Sequence, residues 1–441
     1  MPFNPQTQRK EQDKISLEKR KTSFDEVVIP FDKEDVLEQT NRCLSCPVPK
    51  CEEGCPIHLP IRDMIRLIRD GYEDEAFNLI NALSPLNGLC AIVCDQASQC
   101  EGKCIRGIKD KPVNIGAIHR YVAFLNKKYE HSFMNDNGKN IAVIGAGPSG
   151  LSCAYELRKL GYQVTIYDRE DDIGGVMYYG IPSFRLNDND LHHVLDAFKS
   201  FGISFELGKE VNIDEIKDKY DALYLAIGTQ KSKYMGVPGE NLPGVFTSEE
   251  FLKGIKVNKN YQKYEQHKKV FVVGGGNVAM DVSRTLVRLC KETTIVYRRS
   301  ITEAPCRKNE LEEANEEGVI LSFLTNPVAF IGKEKLEQIK LIKMELGAPD
   351  ESGRCRPVEI KGSEYCLDAD AIVLAIGNDV EKQYLCSLEL NRNLLKINNN
   401  YQTNDPHIFA GGDVVTGSNT VVHAVKAGIE AAKNIDSYLN H

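Results

Sequence analysis

The stretch NIAVIGAGPSG, residues 140–150, joins a short apolar run to a glycine-rich loop. A helix-like segment, LSCAYELRKLG (151–161), and a second apolar run, QVTIYDRE (163–170), follow it. A strand, a glycine turn, a helix and a parallel strand in this order form a βαβ unit. The stretch therefore predicts an α/β fold built on a parallel sheet.

The glycine loop has the G-x-G-x-x-G spacing of a dinucleotide-binding turn. Gly145 permits the tight turn, Gly147 lets the ligand approach the backbone, and Gly150 lets the helix pack closely on the strand. Pro148 and Ser149 open that helix, whose free N–H groups are suited to bind phosphate. We therefore predict a pyrophosphate site at this turn.

Asp168 ends the following strand, 18 residues after Gly150. A carboxylate at this point is expected to accept hydrogen bonds from ribose hydroxyls. The alternative is a glycine turn with a purely structural role. The strand before the loop and the acid after it favour the nucleotide site.

A second unit of this kind starts at residue 269, with KVFVVGGGNVAMDVSRTLVRLC and then TTIVYRRS. The loop residues assigned to the nucleotide are Gly274, Gly276, Asn277 and Val278. Where an NAD site keeps an acid, this chain has Arg298 and Arg299, and guanidinium groups suit a 2′-phosphate. NADPH is therefore preferred over NADH. Arg307 and Lys308 are candidates to extend the pocket, with a solvated basic turn as the alternative.

Two segments repeat one pattern: DALYLAIGT (221–229) and DAIVLAIGN (370–378). Each is predicted to be a strand ending on a glycine at a cofactor edge, and HIFAGGDVVTG (407–417) is a third strand of this type. This order predicts one Rossmann-like domain inserted in another. We assign residues 136–266 and 370–441 to the first domain and 267–369 to the inserted one.

The chain also gathers eight cysteines in two groups, NRCLSCPVPKCEEGCP (41–56) and GLCAIVCDQASQCEGKC (88–104). A structural zinc site usually pairs two Cys-x(2–4)-Cys knuckles across a longer loop, whereas closely spaced cysteines ending in Cys-Pro are typical of iron–sulfur proteins. We therefore predict iron–sulfur clusters at these cysteines, with a structural zinc site as the alternative. Apolar residues recur at helical spacing over 59–83 and 113–129, which predicts that residues 1–135 form a helical domain stabilised by bound metal. The first forty residues are predicted to be a solvated arm.

The 441 residues carry a formal net charge of −8, which argues against a nucleic-acid partner. No stretch has the roughly 20 apolar residues of a membrane span, and the polar amino terminus is not a secretory signal. These features predict a cytoplasmic protein.

Together these motifs resemble the small subunit of bacterial glutamate synthase. The electron-input half of dihydropyrimidine dehydrogenase and NADPH–ferredoxin oxidoreductases are similar. The resemblance rests on the cysteine groups, GAGPSG, GIPSFRL (180–186), GGGNVAMD, YRRS and AGGD. It implies FAD in the first Rossmann-like domain, NADPH in the second and two 4Fe–4S clusters in the helical domain. It also implies further flavin-site residues: Gly175, Arg185 near the isoalloxazine, Gly412 and Asp413.

The resemblance further implies the cluster ligands. Cys43, Cys46, Cys51 and Cys104 would hold one cluster. Cys55, Cys94 and Cys100 would hold the other, whose fourth ligand in the dehydrogenase branch is a glutamine on the next helix. His119 falls in that slot, and Cys90 is the alternative.

No nucleophile or general-base constellation is evident, so the cofactors are expected to carry the chemistry. The predicted route is hydride transfer from NADPH to flavin N5, then single electrons through the clusters to a larger catalytic subunit or a ferredoxin-like acceptor. The first hypothesis is the electron-input subunit of glutamate synthase. The second is the electron subunit of a pyrimidine dehydrogenase or an NADPH–ferredoxin oxidoreductase. The third is a nucleotide-binding module without turnover.

Overall fold

The computed structural model describes residues 8–125, 129, 132–289, 292–350, 353–385 and 387–440. Helices make up the amino-terminal region and then alternate with strands. They are α1 Leu17–Thr22, α2 Lys33–Thr40, α3 Lys50–Glu53, α4 Ile61–Asp70, α5 Glu73–Leu83, α6 Asn87–Val93, α7 Ile115–Ala123, α8 Pro148–Lys159, α9 Val176–Tyr179, α10 Asp188–Lys199, α11 Ile213–Ile216, α12 Ser248–Lys256, α13 Tyr261–Glu265, α14 Asn277–Leu289, α15 Lys308–Glu316, α16 Asp413–Thr416 and α17 Val421–Asn440.

Among the residues that the structure describes, the first strand begins at residue 140. They are β1 Asn140–Ile144, β2 Gln163–Tyr167, β3 Ser204–Glu206, β4 Ala222–Leu225, β5 Lys231–Ser232, β6 Val245–Thr247, β7 Lys269–Val273, β8 Glu292–Tyr297, β9 Ile320–Phe323, β10 Thr325–Ile331, β11 Gln338–Pro349, β12 Cys355–Glu359, β13 Tyr365–Asp368, β14 Ala371–Leu374, β15 Asn378–Asp379, β16 Leu390–Asn391, β17 Leu394–Leu395 and β18 Ile408–Ala410. A helical region followed by α/β units is the predicted fold class, which is confirmed.

The helical region forms around one apolar cluster. Its members come from the faces of α4, α5 and α7 that the apolar spacing predicted, and include Ile65, Ile68, Ile80 and Ile118. The helix predicted over 113–129 ends at Ala123, and residues 126–128 lie outside the described part of the chain.

Residues 8–40 pack on the rest of the chain, so the prediction of a solvated arm is wrong for this segment. Val27 and Phe31 are buried. Arg20 donates to Glu316 at 2.7 Å, and Arg288 donates to the carbonyl of Ser23 at 2.8 Å. The sequence gives no clear sign of this packing, because the apolar residues of this segment have no helical or strand period and Pro30 interrupts the short apolar run at 27–31.

Two five-stranded sheets, each entirely parallel, carry the two glycine loops. The first has the order β18-β4-β1-β2-β3 and the second β6-β14-β7-β8-β9. The whole second sheet lies in sequence between β4 and β18 of the first. The predicted insertion of one unit in the other is therefore present.

The pairing places two segments differently from the predicted boundaries. β6 and β14 belong to the second sheet, although 245–247 and 371–374 were assigned to the first domain. Phe251 and Ile255 of α12 also lie in the second unit's core. Both segments are buried apolar strands that suit either sheet, so the sequence could not decide which sheet each one joins.

The repeated D-A-x3-A-I-G segments occupy equivalent places in the two sheets. β4 lies beside β1 and β14 lies beside β7. A Cβ on Gly145 would come within 2.4 Å of the carbonyl oxygen of Ala226, and one on Gly274 within 2.3 Å of that of Ala375. The repeat therefore marks the strand whose end packs against the first glycine of each loop.

A smaller antiparallel sheet, β10-β11-β12 with β13 on β11, interrupts the second unit between β9 and β14. Short pairs form between β5 and β15 and between β16 and β17. Within the described ranges, no single helix combines the length and apolarity of a membrane span; α5 and α6, bent by 91°, meet the criterion only as a pair.

Candidate functional site

One cavity of about 1680 Å³ runs between the two parallel sheets and is lined by both glycine loops. It brings together most of the predicted nucleotide residues, which come from segments far apart in sequence. Those lining it are Gly145, Gly147, Pro148, Ser149, Asp168, Gly175, Arg185, Gly274, Gly276, Asn277, Val278, Arg298, Arg299 and Asp413.

The two remaining predicted residues, Gly150 and Gly412, lie behind this lining. A Cβ on Gly150 would lie 1.9 Å from the carbonyl oxygen of Gly145, which is the close packing of helix on strand expected there. Gly412 has φ +76°, and a Cβ on it would lie 3.0 Å from the Cβ of Ser149. Both glycines shape the site and have no open side toward the cavity.

The first glycine loop fits a dinucleotide pyrophosphate. A Cβ on Gly147 would meet no atom within 4 Å, so its open side faces space in the cavity. Gly175 has φ +54°, and its Cβ would lie 2.9 Å from the Cα of Gly147. The second glycine stretch thus closes on the first, and bare backbone surrounds the start of α8, where phosphate oxygens are favoured.

Two half-buried carboxyl groups complete this end of the cavity. Asp168 accepts hydrogen bonds from the N–H groups of Ala146 at 2.6 Å and Glu170 at 2.9 Å, which fix it against the loop. Burial raises its pKa despite these bonds. Burial also raises the pKa of Asp413 to about 7. Both groups face the cavity and could accept from a bound ligand's hydroxyls.

The two arginines after β8 differ in their surroundings. Arg299 is buried, donates to Asp350 Oδ2 at 2.7 Å and donates from Nε to the carbonyl of Cys355 at 2.9 Å. Arg298 is exposed at the cavity wall. The guanidinium of Arg298 is therefore the one available to a 2′-phosphate, whereas Arg299 braces the strand end.

We expect Arg298→Ala to raise the KM for NADPH about tenfold or more, because a charge-assisted hydrogen bond contributes about 1.5–3 kcal/mol. The KM for NADH should change little, since NADH lacks the phosphate. Steady-state kinetics with both nucleotides measures the ratio. Lys361→Ala, which removes an exposed cation in the turn between β12 and β13, is the control. Equal changes for both nucleotides would contradict the assignment.

Arg185 lies in a buried ion network between the two units. It pairs with Asp281 of α14 at 2.7 Å and with Glu310 of α15 at 2.9 Å. Arg284 joins the same network through Glu310 at 2.7 Å and Glu317 at 2.8 Å. Asp281 lies one turn into α14, where sequence reasoning assigns it no catalytic role because an acid near a helix start can be favourable through the helix dipole alone.

Glu249 is a second cavity residue that the sequence did not identify. It lines the cavity near Arg169, and burial raises its pKa to about 7. No local pattern marks it, since it follows β6, whose place in the second sheet was not foreseen.

Four of the cysteines line one small apolar cavity in the helical region: Cys43, Cys46, Cys51 and Cys104. Cys43 lies just beyond α2, Cys51 lies in α3, and Cys104 precedes the 3₁₀ helix Ile105–Ile108. Burial, helped by the neighbouring thiols Cys104 and Cys43, raises the pKa of Cys51 to about 12. Three thiols from one short segment and a fourth from Cys104 line the same cavity, and this set fits a cluster with one thiolate on each iron.

Cys55, Cys94 and Cys100 form a second group. Burial raises the pKa of Cys100, and the nearby Cys55 and Cys94 add to the effect. The pKa of Cys94 is raised first by a hydrogen bond with Cys90, one turn earlier in α6, and then by burial. The structure thus brings these three thiols together with Cys90 beside them.

His119 is buried on α7, and burial lowers its pKa to about 4. Its Nε2 lies 2.8 Å from Asn87 Oδ1. The amide nitrogen of Asn87 donates elsewhere, to the carbonyl of Ser84 at 2.6 Å and to Asn81 Oδ1 at 2.8 Å. Nε2 is therefore the donor of a neutral imidazole, and Nδ1 keeps the lone pair that a metal needs.

Two family models match this chain. The pyridine nucleotide-disulphide oxidoreductase model matches residues 105–181 and 139–428. The model for dihydropyrimidine dehydrogenase domain II, a 4Fe-4S cluster domain, matches residues 20–131. The first spans both parallel sheets and the second spans both groups of cysteines.

Curated relatives cover almost the whole chain. The NADPH glutamate synthase small chain of Escherichia coli is 36% identical over 98% of this chain and 97% of its own length. The beta subunit of the NADP⁺-dependent formate dehydrogenase of Moorella thermoacetica is 36% identical over 88% of this chain and 60% of its own length.

Solved structures share the fold of the nucleotide part. FprA of Mycobacterium tuberculosis, in complex with NADPH, superposes with a TM-score of 0.60 at 20% identity. The match covers 68% of this chain and 85% of that protein.

Proposed function

The chain belongs to the pyridine nucleotide-disulphide oxidoreductase family and is similar over nearly its whole length to the NADPH glutamate synthase small chain, and from this similarity we propose which groups it binds and where its electrons go. It is an oxidoreductase subunit that uses NADPH, FAD and 4Fe–4S clusters. Bound FAD would exchange the two electrons of a hydride for the single electrons that clusters accept. The chain's own residues hold, orient and separate these groups.

We propose that FAD is bound at the first glycine loop and NADPH at the second. The supporting observation is the single cavity that both loops line. The bare backbone at Gly147 and Gly175 suits the FAD pyrophosphate, while Asp168 and Asp413 would accept from its hydroxyls. Arg298 would select NADPH. The network around Arg185 and Asp281 fixes one unit against the other, which would keep the two ligands in register.

We propose that Cys43, Cys46, Cys51 and Cys104 hold one cluster, and that Cys55, Cys94, Cys100 and His119 hold the other. The free Nδ1 of His119 supports its role, and the contact of Cys90 with Cys94 keeps Cys90 as the alternative. An imidazole in place of a thiolate makes the second cluster less negative, which generally raises its potential.

The partner is a larger subunit, because the related chains are named as the small chain or a subunit of multi-subunit enzymes. We propose a glutamate synthase type of partner, which would bind glutamine and 2-oxoglutarate, in the cytoplasm. Large apolar side chains are exposed around the first group of cysteines, among them Leu44, Val48, Ile105 and Ile108. We place the partner's contact there, since such a patch on a redox centre suits a protein interface.

A second candidate is an electron subunit that serves another acceptor, such as a ferredoxin-like protein. The formate dehydrogenase relative favours it, because a chain of similar sequence is named there as part of a different enzyme. Purifying the native complex and identifying the companion chain separates the two. A ferredoxin or a pyrimidine-reducing chain in place of a glutamine-binding one would displace the glutamate synthase proposal.

The function is tested on the reconstituted holoprotein without oxygen. Adding NADPH should bleach the flavin absorbance and then produce the EPR signals of two reduced 4Fe–4S clusters. NADH at the same concentration is the control and should act more slowly. A holoprotein with intact flavin and clusters that NADPH leaves oxidised would reject electron input and favour a binding module.

A further inference from the structure

Arg307 connects the second nucleotide unit to the second group of cysteines. Its backbone N–H donates to Asn277 Oδ1 at 2.9 Å, at the start of α14 in the second glycine loop. Pro305, two residues earlier, lines the nucleotide cavity beside Asn277. The backbone of this segment therefore lies against the second glycine loop.

The side chain of Arg307 points elsewhere. Its Nη1 donates to the carbonyl of Val93 at 3.3 Å, and Val93 directly precedes Cys94. The guanidinium is nearly buried, with 11% of the side chain exposed. It is thus placed against the turn that carries a proposed cluster ligand, and Arg298 is the arginine that remains for the 2′-phosphate.

Two acidic groups, Glu310 and Asp95, act on the positive charge of Arg307. Its ion pair with Glu310 spans 3.7 Å, whereas Glu310 lies 2.9 Å from Arg185 and 2.7 Å from Arg284. The carboxylate is therefore engaged mainly by the other two arginines. Because the surroundings are buried, the remaining charge is screened little by solvent.

The buried guanidinium lies beside the turn that carries Cys94, because the carbonyl that it contacts belongs to the preceding residue, Val93. A cation that favours added negative charge on a ligand also favours a cluster that has gained an electron. Net charge and hydrogen bonding around the sulfurs are among the terms that set a cluster's potential.

We propose that Arg307 is a positioning residue that raises the reduction potential of the cluster bound through Cys94 and ties that cluster's environment to the nucleotide loop. This inference rests on the proposed function, since it requires a cluster on Cys94. One electron enters that cluster and no bond forms or breaks at Arg307. The residue sets how readily the electron is accepted.

The test is a potentiometric titration of the holoprotein, followed by EPR. Arg307→Gln should make reduction of one cluster about tenfold less favourable, a shift of about 59 mV to lower potential for a one-electron couple. The other cluster serves as an internal reference and should not move. Arg307→Lys should restore most of the potential. Lys308→Gln, which removes an exposed charge at the next position, should shift neither cluster.

Each result decides one point. Unchanged potentials in Arg307→Gln would overturn the inference, and so would a raised KM for NADPH without any shift, which would return Arg307 to the phosphate pocket. If Arg307→Gln does not assemble its clusters, Arg307→Lys and Arg307→Met are compared instead. An equal shift of the cluster potential in these two variants would overturn the inference, because only lysine keeps the charge. A wild-type holoprotein lacking a second cluster would instead reject the proposed function.

Discussion

Replacing Cys104 by alanine is expected to remove one of two 4Fe–4S clusters and to abolish electron transfer to the partner. Cys104 shares its small cavity with Cys43, Cys46 and Cys51, and alanine offers no ligand to an iron in that place. Flavin reduction by NADPH should survive, because the residues that line this small cavity all lie between 43 and 115, outside both parallel sheets. Iron and sulfide analysis, EPR and stopped-flow flavin absorbance measure the three quantities.

The control is Cys366→Ser, which alters an exposed cysteine on β13, far in sequence from both groups. It should keep both clusters and full transfer. Loss of both EPR signals in Cys104→Ala would contradict two separate clusters. If both EPR signals remain, Cys104 is not a cluster ligand. Zinc would then again be a candidate for the site of Cys104, and elemental analysis of the same sample would detect it.

The same measurement separates the two candidates for the last ligand. His119→Ala should eliminate or alter the signal that Cys104→Ala spares, whereas Cys90→Ala should leave both signals in place. The reverse outcome would assign the ligand to Cys90. The contact between Cys90 and Cys94 makes a small spectral change in Cys90→Ala compatible with His119 as ligand, but not the loss of a cluster.

The sequence predicts those parts of the fold that local spacing controls. Both glycine loops, the helical region and the insertion of one unit in the other follow from patterns within about thirty residues. Local patterns do not predict the sheet to which β6 and β14 belong, because the pairing of parallel strands is a long-range choice between similar apolar segments. The same limit hid Glu249, whose place in the cavity depends on β6.

The residues of the candidate site also differ in how well the sequence predicts them. The sequence identifies the glycines and cysteines because their chemistry needs them at fixed intervals. The sequence does not predict the partners of the arginines, because a guanidinium on a long side chain can reach several elements. Arg299 turns to Asp350, Arg307 to Val93 and Arg185 to Asp281. Sequence proximity to a glycine loop therefore did not decide which arginine faces the nucleotide.

Two glycines of the first loop, Gly147 and Gly150, should respond to alanine in opposite ways. Gly147 has φ −75°, which any residue adopts, and a Cβ there would meet no atom of the chain within 4 Å. Gly147→Ala should therefore fold with nearly unchanged stability. The added methyl would occupy the space left for the pyrophosphate, and overpacking costs about 1–3 kcal/mol. FAD affinity should fall about tenfold to a hundredfold.

Gly150→Ala should instead damage the fold. Its Cβ would lie 1.9 Å from the carbonyl oxygen of Gly145 and 3.1 Å from a methyl of Val143, and neither backbone nor core can yield cheaply. The separating measurement is thermal unfolding of the flavin-free chains beside FAD titration. Gly147→Ala should match the wild-type unfolding temperature and bind FAD weakly, while Gly150→Ala should unfold at a markedly lower temperature. If Gly147→Ala binds FAD as tightly as wild type, the proposal that this loop binds the flavin is wrong, because the open side of Gly147 would then face no ligand.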